Sequence, residues 1–221
     1  MPKTARFSRE DARRFYDRFG MKQDRQGFYE DRALDLLIEH GAFSAARSVL
    51  EIGCGTGRLA ARLLSDHLPA SARYVGVDIS ETMVGLAAGR LERWGDRAEV
   101  RVSVGDFDFS AYGAAFDRVV GTYVFDLLSP EDIARALSGA HAATRPGGFL
   151  CVAGLTQGTG VLSRATSTVW TWLHGMNPSL VGGCRPLALS AFIDGARWRI
   201  AYREVVVSAT VPSEVILAEA L

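Results

Sequence analysis

The chain has 221 residues, with 25 Lys and Arg balanced by 25 Asp and Glu, so it suits one compact domain and lacks the basic excess that binds a nucleic-acid backbone. Its three cysteines, Cys54, Cys151 and Cys184, are scattered and leave one over in any disulfide scheme, which argues against a stapled or metal-clustered fold and for a reducing compartment. No stretch approaches the roughly 18 apolar residues of a membrane span, so the expectation is a soluble cytoplasmic protein with small partners and no stable membrane insertion.

In chain order, residues 8–41 carry two helix patterns, the first from Ser8 to Gly20 and the second ending at Gly41, with glycine in the stopping place each time. Short valine-rich runs at 48–52, 73–77, 99–104, 116–121 and 148–154 then alternate with helical patterns, the signature of βαβ units in a buried parallel sheet. Ser129-Pro130-Glu131-Asp132 supplies a capping serine, a first-turn proline and two acids, so a helix starts there and ends near Thr144. Residues 155–195 are too long for a bare connection and contain Trp170, Trp172, His174 and a turn-rich run at 177–186, which reads as a cap over a site. Two last strands, 197–207 and 214–220, are joined by a turn at 210–213 and form an antiparallel hairpin. The expected organisation is a single domain: a helical lid (1–46), a core (47–154), a cap (155–196) and the hairpin (197–221).

The most informative stretch is Val49-Leu50-Glu51-Ile52-Gly53-Cys54-Gly55-Thr56-Gly57-Arg58, a strand turning into a helix through three alternating glycines. Glycine lets the backbone approach a ligand closely, and the following helix offers unpaired N–H groups. Arg58 stands where the dinucleotide fingerprint G-x-G-x-x-G requires its last glycine. Asp78 closes the second strand 21 residues after Gly57, where an acid accepts from ribose hydroxyls, and ligands of open α/β sheets lie at these strand ends. The third strand runs into Gly105-Asp106-Phe107, and the fourth into Thr122-Tyr123-Val124-Phe125-Asp126.

This ordered series resembles the class I S-adenosylmethionine-dependent methyltransferases, especially the ubiquinone and menaquinone methyltransferase-like small-molecule subgroup. The resemblance covers about residues 48–154 and implies an α/β, Rossmann-like doubly wound seven-stranded sheet, mostly parallel with a C-terminal antiparallel hairpin and helices on both faces. It implies S-adenosylmethionine as cofactor, S-adenosylhomocysteine as product and a small-molecule acceptor. The implied cofactor contacts are Glu51, Gly53, Cys54, Gly55, Gly57 and Arg58 in the turn, Asp78 and Ile79 at the ribose, and Met83, Gly105, Asp106 and Phe107 around the adenine. Thr122 and Tyr123 fall beside the methionine end, and Tyr16 resembles a lid tyrosine over the sulfonium.

A sulfonium methyl is already activated, so transfer needs chiefly an aligned acceptor and excluded water. Asp126, just after the fourth strand, is the candidate general base. Tyr29, Phe125, Trp170 and His174 are candidate acceptor contacts. Each has a plainer reading: Tyr16 shares helical spacing with Ala12, Phe15 and Phe19, His174 suits a helix C-terminus, and Val169, Trp172 and Leu173 make a buried stripe. No metal is expected. The alternatives are a nicotinamide-dependent oxidoreductase, a non-catalytic S-adenosylmethionine-binding module and a phospholipid methyltransferase whose aromatic and basic N-terminal segment touches a membrane surface.

Overall fold

The computed structural model describes residues 8–103 and 106–221. Helix α1 (Arg9–Phe19) begins with a reciprocal cap in which Ser8 Oγ accepts from the Asp11 amide and the Asp11 carboxylate accepts from the Ser8 amide, and it stops at Gly20, whose φ is +51°. Helix α2 (Gly27–His40) buries Ala33, Leu34, Leu37 and Ile38 and ends at Gly41. Strands β1 (Ser48–Ile52), β2 (Arg73–Asp78), β3 (Ala98–Val102), β4 (Phe116–Thr122) and β5 (Thr144–Leu155) alternate with α3 (Arg58–Arg62), α4 (Glu81–Leu91) and α5 (Pro130–Ala143). Helix α6 (Val161–Met176) carries the cap, and β6 (Trp198–Ser208) and β7 (Val211–Ala220) end the chain.

The seven strands run in the order β3-β2-β1-β4-β5-β7-β6. Strands β1 to β5 are parallel, and β7 enters antiparallel between β5 and β6. The central strands are buried on both faces because helices cover both. Val49, Ala60, Leu63 and Leu37 pack on the side of α2 and α3, while Leu50, Val119, Ile133 and Leu137 pack on the side of α5.

The hairpin is tighter than the sequence suggests. Its turn is the pair Ala209 and Thr210, both at positive φ, and Ser208 already pairs with Val211. Two left-handed residues match the twist of the flanking strands, so β7 starts three residues early. Helix α6 also departs from expectation, because Ser163 and Ser167 are its buried residues while Val169 and Trp172 are 55% and 62% exposed. The cap lies on the domain through these serines and the half-buried Trp170, while Val169 and Trp172 face outward. Among the described residues, no helix is long and apolar enough to cross a membrane.

Candidate functional site

The glycine turn has the backbone its sequence demands. Gly53, Gly55 and Gly57 all have positive φ, at +74°, +52° and +74°, and the Gly53 and Cys54 amides donate to the Val77 carbonyl of β2. A Cβ at Gly53 would lie 2.7 Å from Val124, and one at Gly57 would lie 3.1 Å from Ala87 of α4. The first glycine therefore lets the loop after β4 close on the turn, and the third lets α3 and α4 touch.

Around this turn a cavity of about 760 Å3 opens at the carboxyl ends of the strands, the size of a small-molecule site. Its floor includes Gly53 and Gly55 after β1, Asp78 and Ile79 after β2, Phe107 after β3, and Thr122 and Tyr123 at the end of β4. Tyr16 of α1 and Gln23 beyond it close one side, and His174 and Arg185 of the cap close another.

Asp78 is half-buried and accepts from the Gly55 and Ser80 amides, each at 2.9 Å, with burial raising its pKa. Glu51 is 2% exposed beneath the turn, where it accepts from the Tyr74 hydroxyl at 2.6 Å. No cation faces it among the described residues, and burial pushes its carboxyl up to about 8. A buried acid lacking a cationic partner suits an ammonium group arriving with a ligand. Gln23 Oε1 is likewise buried without a partner, and the Gln23 amide reaches to 2.7 Å from where a Gly55 Cβ would stand. The lid is tied down over the turn: Ser80 Oγ donates to Asp17 at 2.6 Å, while Thr56 Oγ1 and Arg90 both donate to Asp24 at 2.6 Å.

Several expected residues are placed elsewhere. Arg58 turns to α2, pairing with Glu30 at 3.2 Å and Asp31 at 2.6 Å, so it braces the lid helix rather than lining the cavity. Glu51, Cys54, Gly57 and Met83 are buried outside the cavity lining, with Glu51 and Cys54 in a smaller pocket beside it. Asp106 is exposed and accepts weakly from the Asp108 amide at 3.3 Å, while Phe107 lines the cavity at φ +58°. Gly105 lies outside the described residues. Phe125 is 1% exposed and packs in the core against α5. Tyr29 and Trp170 pack edge to face with centroids 6.3 Å apart, and the Trp170 indole N–H donates to the Cys184 carbonyl, so both support the cap without lining the cavity.

Asp126 is also drawn inward. It is 1% exposed, Oδ2 accepts from the Leu155 amide at 2.7 Å, and a Cβ at Gly154 would lie 2.5 Å from Oδ1. Burial pushes its carboxyl up to about 8. It does not line the cavity, because the short turn after β4 rolls its side chain against β5. His174 does line it, with Nε2 buried and free of any protein partner, and burial followed by Arg185 lowers its pKa. Tyr16 lies 3.9 Å from Cys184 Sγ across the same space.

Sequence reasoning missed Gln23 and Arg185, as well as Arg9, Asp132 and Arg135 at the cavity margin. Apart from Asp132, in the helix-start run at 129–132, none belongs to a motif. Arg185 lies inside the turn-rich run at 177–186, and only its polarity among turn residues marked it.

Residues 50–150 match a family model described as a methyltransferase domain. This core is similar to methyltransferase domains. The tRNA N(3)-methylcytidine methyltransferase Mettl2 of Drosophila melanogaster is 28% identical over 154 residues, covering 63% of this chain and 46% of that protein. The chain thus spans about half the length of that relative. A solved S-adenosylmethionine-dependent methyltransferase from Methanosarcina mazei is 19% identical, with a TM-score of 0.66 over 83% of this chain and 97% of that one. The cyclase SpnF is 18% identical, with a TM-score of 0.68 over 86% and 81%. These two likenesses show the fold, which by itself does not select a reaction. S-adenosylmethionine, the cofactor the sequence resemblance implies, suits the residues present: three positive-φ glycines, Asp78 on the cavity floor, and the cation-free Glu51, which lines a smaller pocket beside Gly53, Thr122 and Tyr123.

Proposed function

We propose that the protein transfers the methyl group of S-adenosylmethionine to a small-molecule acceptor bound between the glycine turn and the cap. The observation that carries this reading is one continuous cavity of about 760 Å3 that reaches from Gly53 and Asp78 to His174 and Arg185. The cofactor, when bound, supplies an activated methyl on a sulfonium. Glu51 and the end of β4 hold its amino-acid end, Asp78 its ribose, and Ile79 and Phe107 its base. Tyr16 and Gln23 shut out water from the lid side.

His174 is the residue we assign to the acceptor proton. His174 lines the cavity with its Nε2 buried and unpaired, and its lowered pKa leaves the imidazole neutral and able to accept at neutral pH. The imidazole would take the acceptor's proton as the nucleophile received the methyl group that the bound cofactor would supply. Asp126 is assigned to holding Leu155 and the entry to the cap. The lid and cap roof, together with the balanced overall charge, favour a small acceptor over an RNA.

Labelled S-adenosylmethionine offered with a panel of phenols, amines and thiols, and separately with total tRNA, tests this reading. Transfer to one small-molecule class is expected. Transfer to tRNA alone would place the chain with the tRNA enzymes in substrate as well as sequence. Binding of NADH with no response to S-adenosylmethionine would refute the methyltransferase reading itself. On an identified acceptor, His174→Gln should lower kcat about a hundredfold with cofactor affinity intact.

A further inference from the structure

Arg185 stands out among the cavity residues because its charge is unanswered. Its Nη1 and Nη2 donate to the Asp126 and Leu128 carbonyls, and its own amide donates to the Asp126 carbonyl at 3.2 Å, so the group is fixed just after β4. Among the described residues it forms no ion pair with any carboxylate. The carboxyl that acts on it is Asp126, which is turned against Leu155 and pushed by burial up to about 8. Five N–H donors on a planar fork, with two used on carbonyls, leave donors free for the cavity that Arg185 lines beside His174.

The other charged side chains of the cavity do not balance it. Arg9 and Arg135 share one carboxylate, Asp132, and Asp78 is answered by two backbone amides. Three guanidinium groups against two carboxylates leave the lining one positive charge in excess. The cofactor's sulfonium and ammonium are offset by its own carboxylate and by the carboxylate of Glu51, so the excess at Arg185 stands. A half-buried cationic pocket of this kind selects an anion.

We propose that the methyl acceptor is an anion, carrying a carboxylate or similar planar acidic group that Arg185 holds while the nucleophilic atom faces His174. This rests on the methyltransferase reading above. The bidentate fork would fix the acceptor's orientation, and the hydrogen bonds to the Asp126 and Leu128 carbonyls would keep the fork from following its ligand.

The probes are hydroxybenzoates, aminobenzoates and mercaptobenzoates, each paired with its neutral amide, titrated calorimetrically into protein saturated with S-adenosylhomocysteine. At least one carboxylate is expected to bind about tenfold or more tighter than its amide. Arg185→Gln should erase that preference while S-adenosylhomocysteine binds as before, and Arg185→Lys should retain part of it. Unchanged S-adenosylhomocysteine binding in both variants also reports that they fold. If no carboxylate outcompetes its amide, or if the preference survives Arg185→Gln, the proposal fails and the methyltransferase reading stands. If Arg185→Gln weakens S-adenosylhomocysteine binding with an unchanged melting temperature, the guanidinium belongs to the cofactor's own carboxylate and the proposal is overturned. If S-adenosylhomocysteine does not bind the native chain, the underlying reading is what fails.

Discussion

On the proposed reading, Glu51 makes cofactor binding a proton-release reaction. In the free protein its carboxyl is buried, bonded to the Tyr74 hydroxyl alone and raised to about 8. At pH 7 such a group is about nine-tenths protonated, and at pH 6 nearly fully so. A cofactor ammonium seated against it favours the carboxylate, so each binding event at pH 7 should expel about 0.9 proton. The sign follows: affinity for S-adenosylhomocysteine rises with pH, by roughly fiftyfold between pH 6 and pH 8, and flattens above the pKa of the free protein. Calorimetric titrations at pH 7 in two buffers of different ionisation heat give the proton count directly. Glu51→Gln keeps an acceptor for Tyr74 but cannot ionise, so its proton count should fall by about 0.9 and its affinity should lose this pH dependence. Equal proton release by the native protein and the variant would show that Glu51 does not meet the ammonium.

Asp78→Ala should weaken S-adenosylhomocysteine binding by about 1 to 3 kcal/mol if ribose hydroxyls lose their acceptor; because Asp78 also ties Gly55 to Ser80, melting temperature is measured beside affinity. Asp126→Asn retains an acceptor for the Leu155 amide, so acceptor turnover should stay within about twofold of native, and a large fall in kcat would return Asp126 to the reaction. The raised pKa of Asp126 means that its contribution to stability is greatest below about pH 4 and is lost as pH rises toward 8; denaturant melts across that window should show a shallower decline for the Asn variant. Glycine substitutions separate the turn from ordinary helix. Gly85→Ala, in α4 with nothing within 4 Å of the new Cβ, should stabilise by about 0.5 to 1 kcal/mol, whereas Gly53→Ala meets Val124 at 2.7 Å with φ +74° and should abolish cofactor binding. A neutral Gly53→Ala would contradict the turn's role.

The parallel core was legible because its determinants are local. The valine-rich strands, the Ser129-Pro130 helix start and the glycine stops at Gly20 and Gly41 each act within a few residues, and β1 runs over Ser48–Ile52 as the sequence predicts. The spacing from the glycine turn to Asp78 was readable too, because β2 lies beside β1 and parallel strands bring their carboxyl ends to one edge.

What the sequence could not settle is where side chains point once the chain leaves a regular element. Asp126 follows β4 in the position of a base, yet the short turn rolls it against Leu155 and Gly154, and desolvation there outweighs its exposure to the site. Arg58 breaks the dinucleotide pattern in sequence, but its side chain answers Glu30 and Asp31, partners 28 and 27 residues away. His174 and Arg185 reach the cavity only because α6 lies over it through buried serines. The sequence by itself determined the sheet, the glycine turn and the acid that closes β2, since these depend on short-range periodicity and backbone freedom. Only the tertiary structure decided which charged groups share the cavity, because that depends on long-range packing and on which charges are left without partners when it closes.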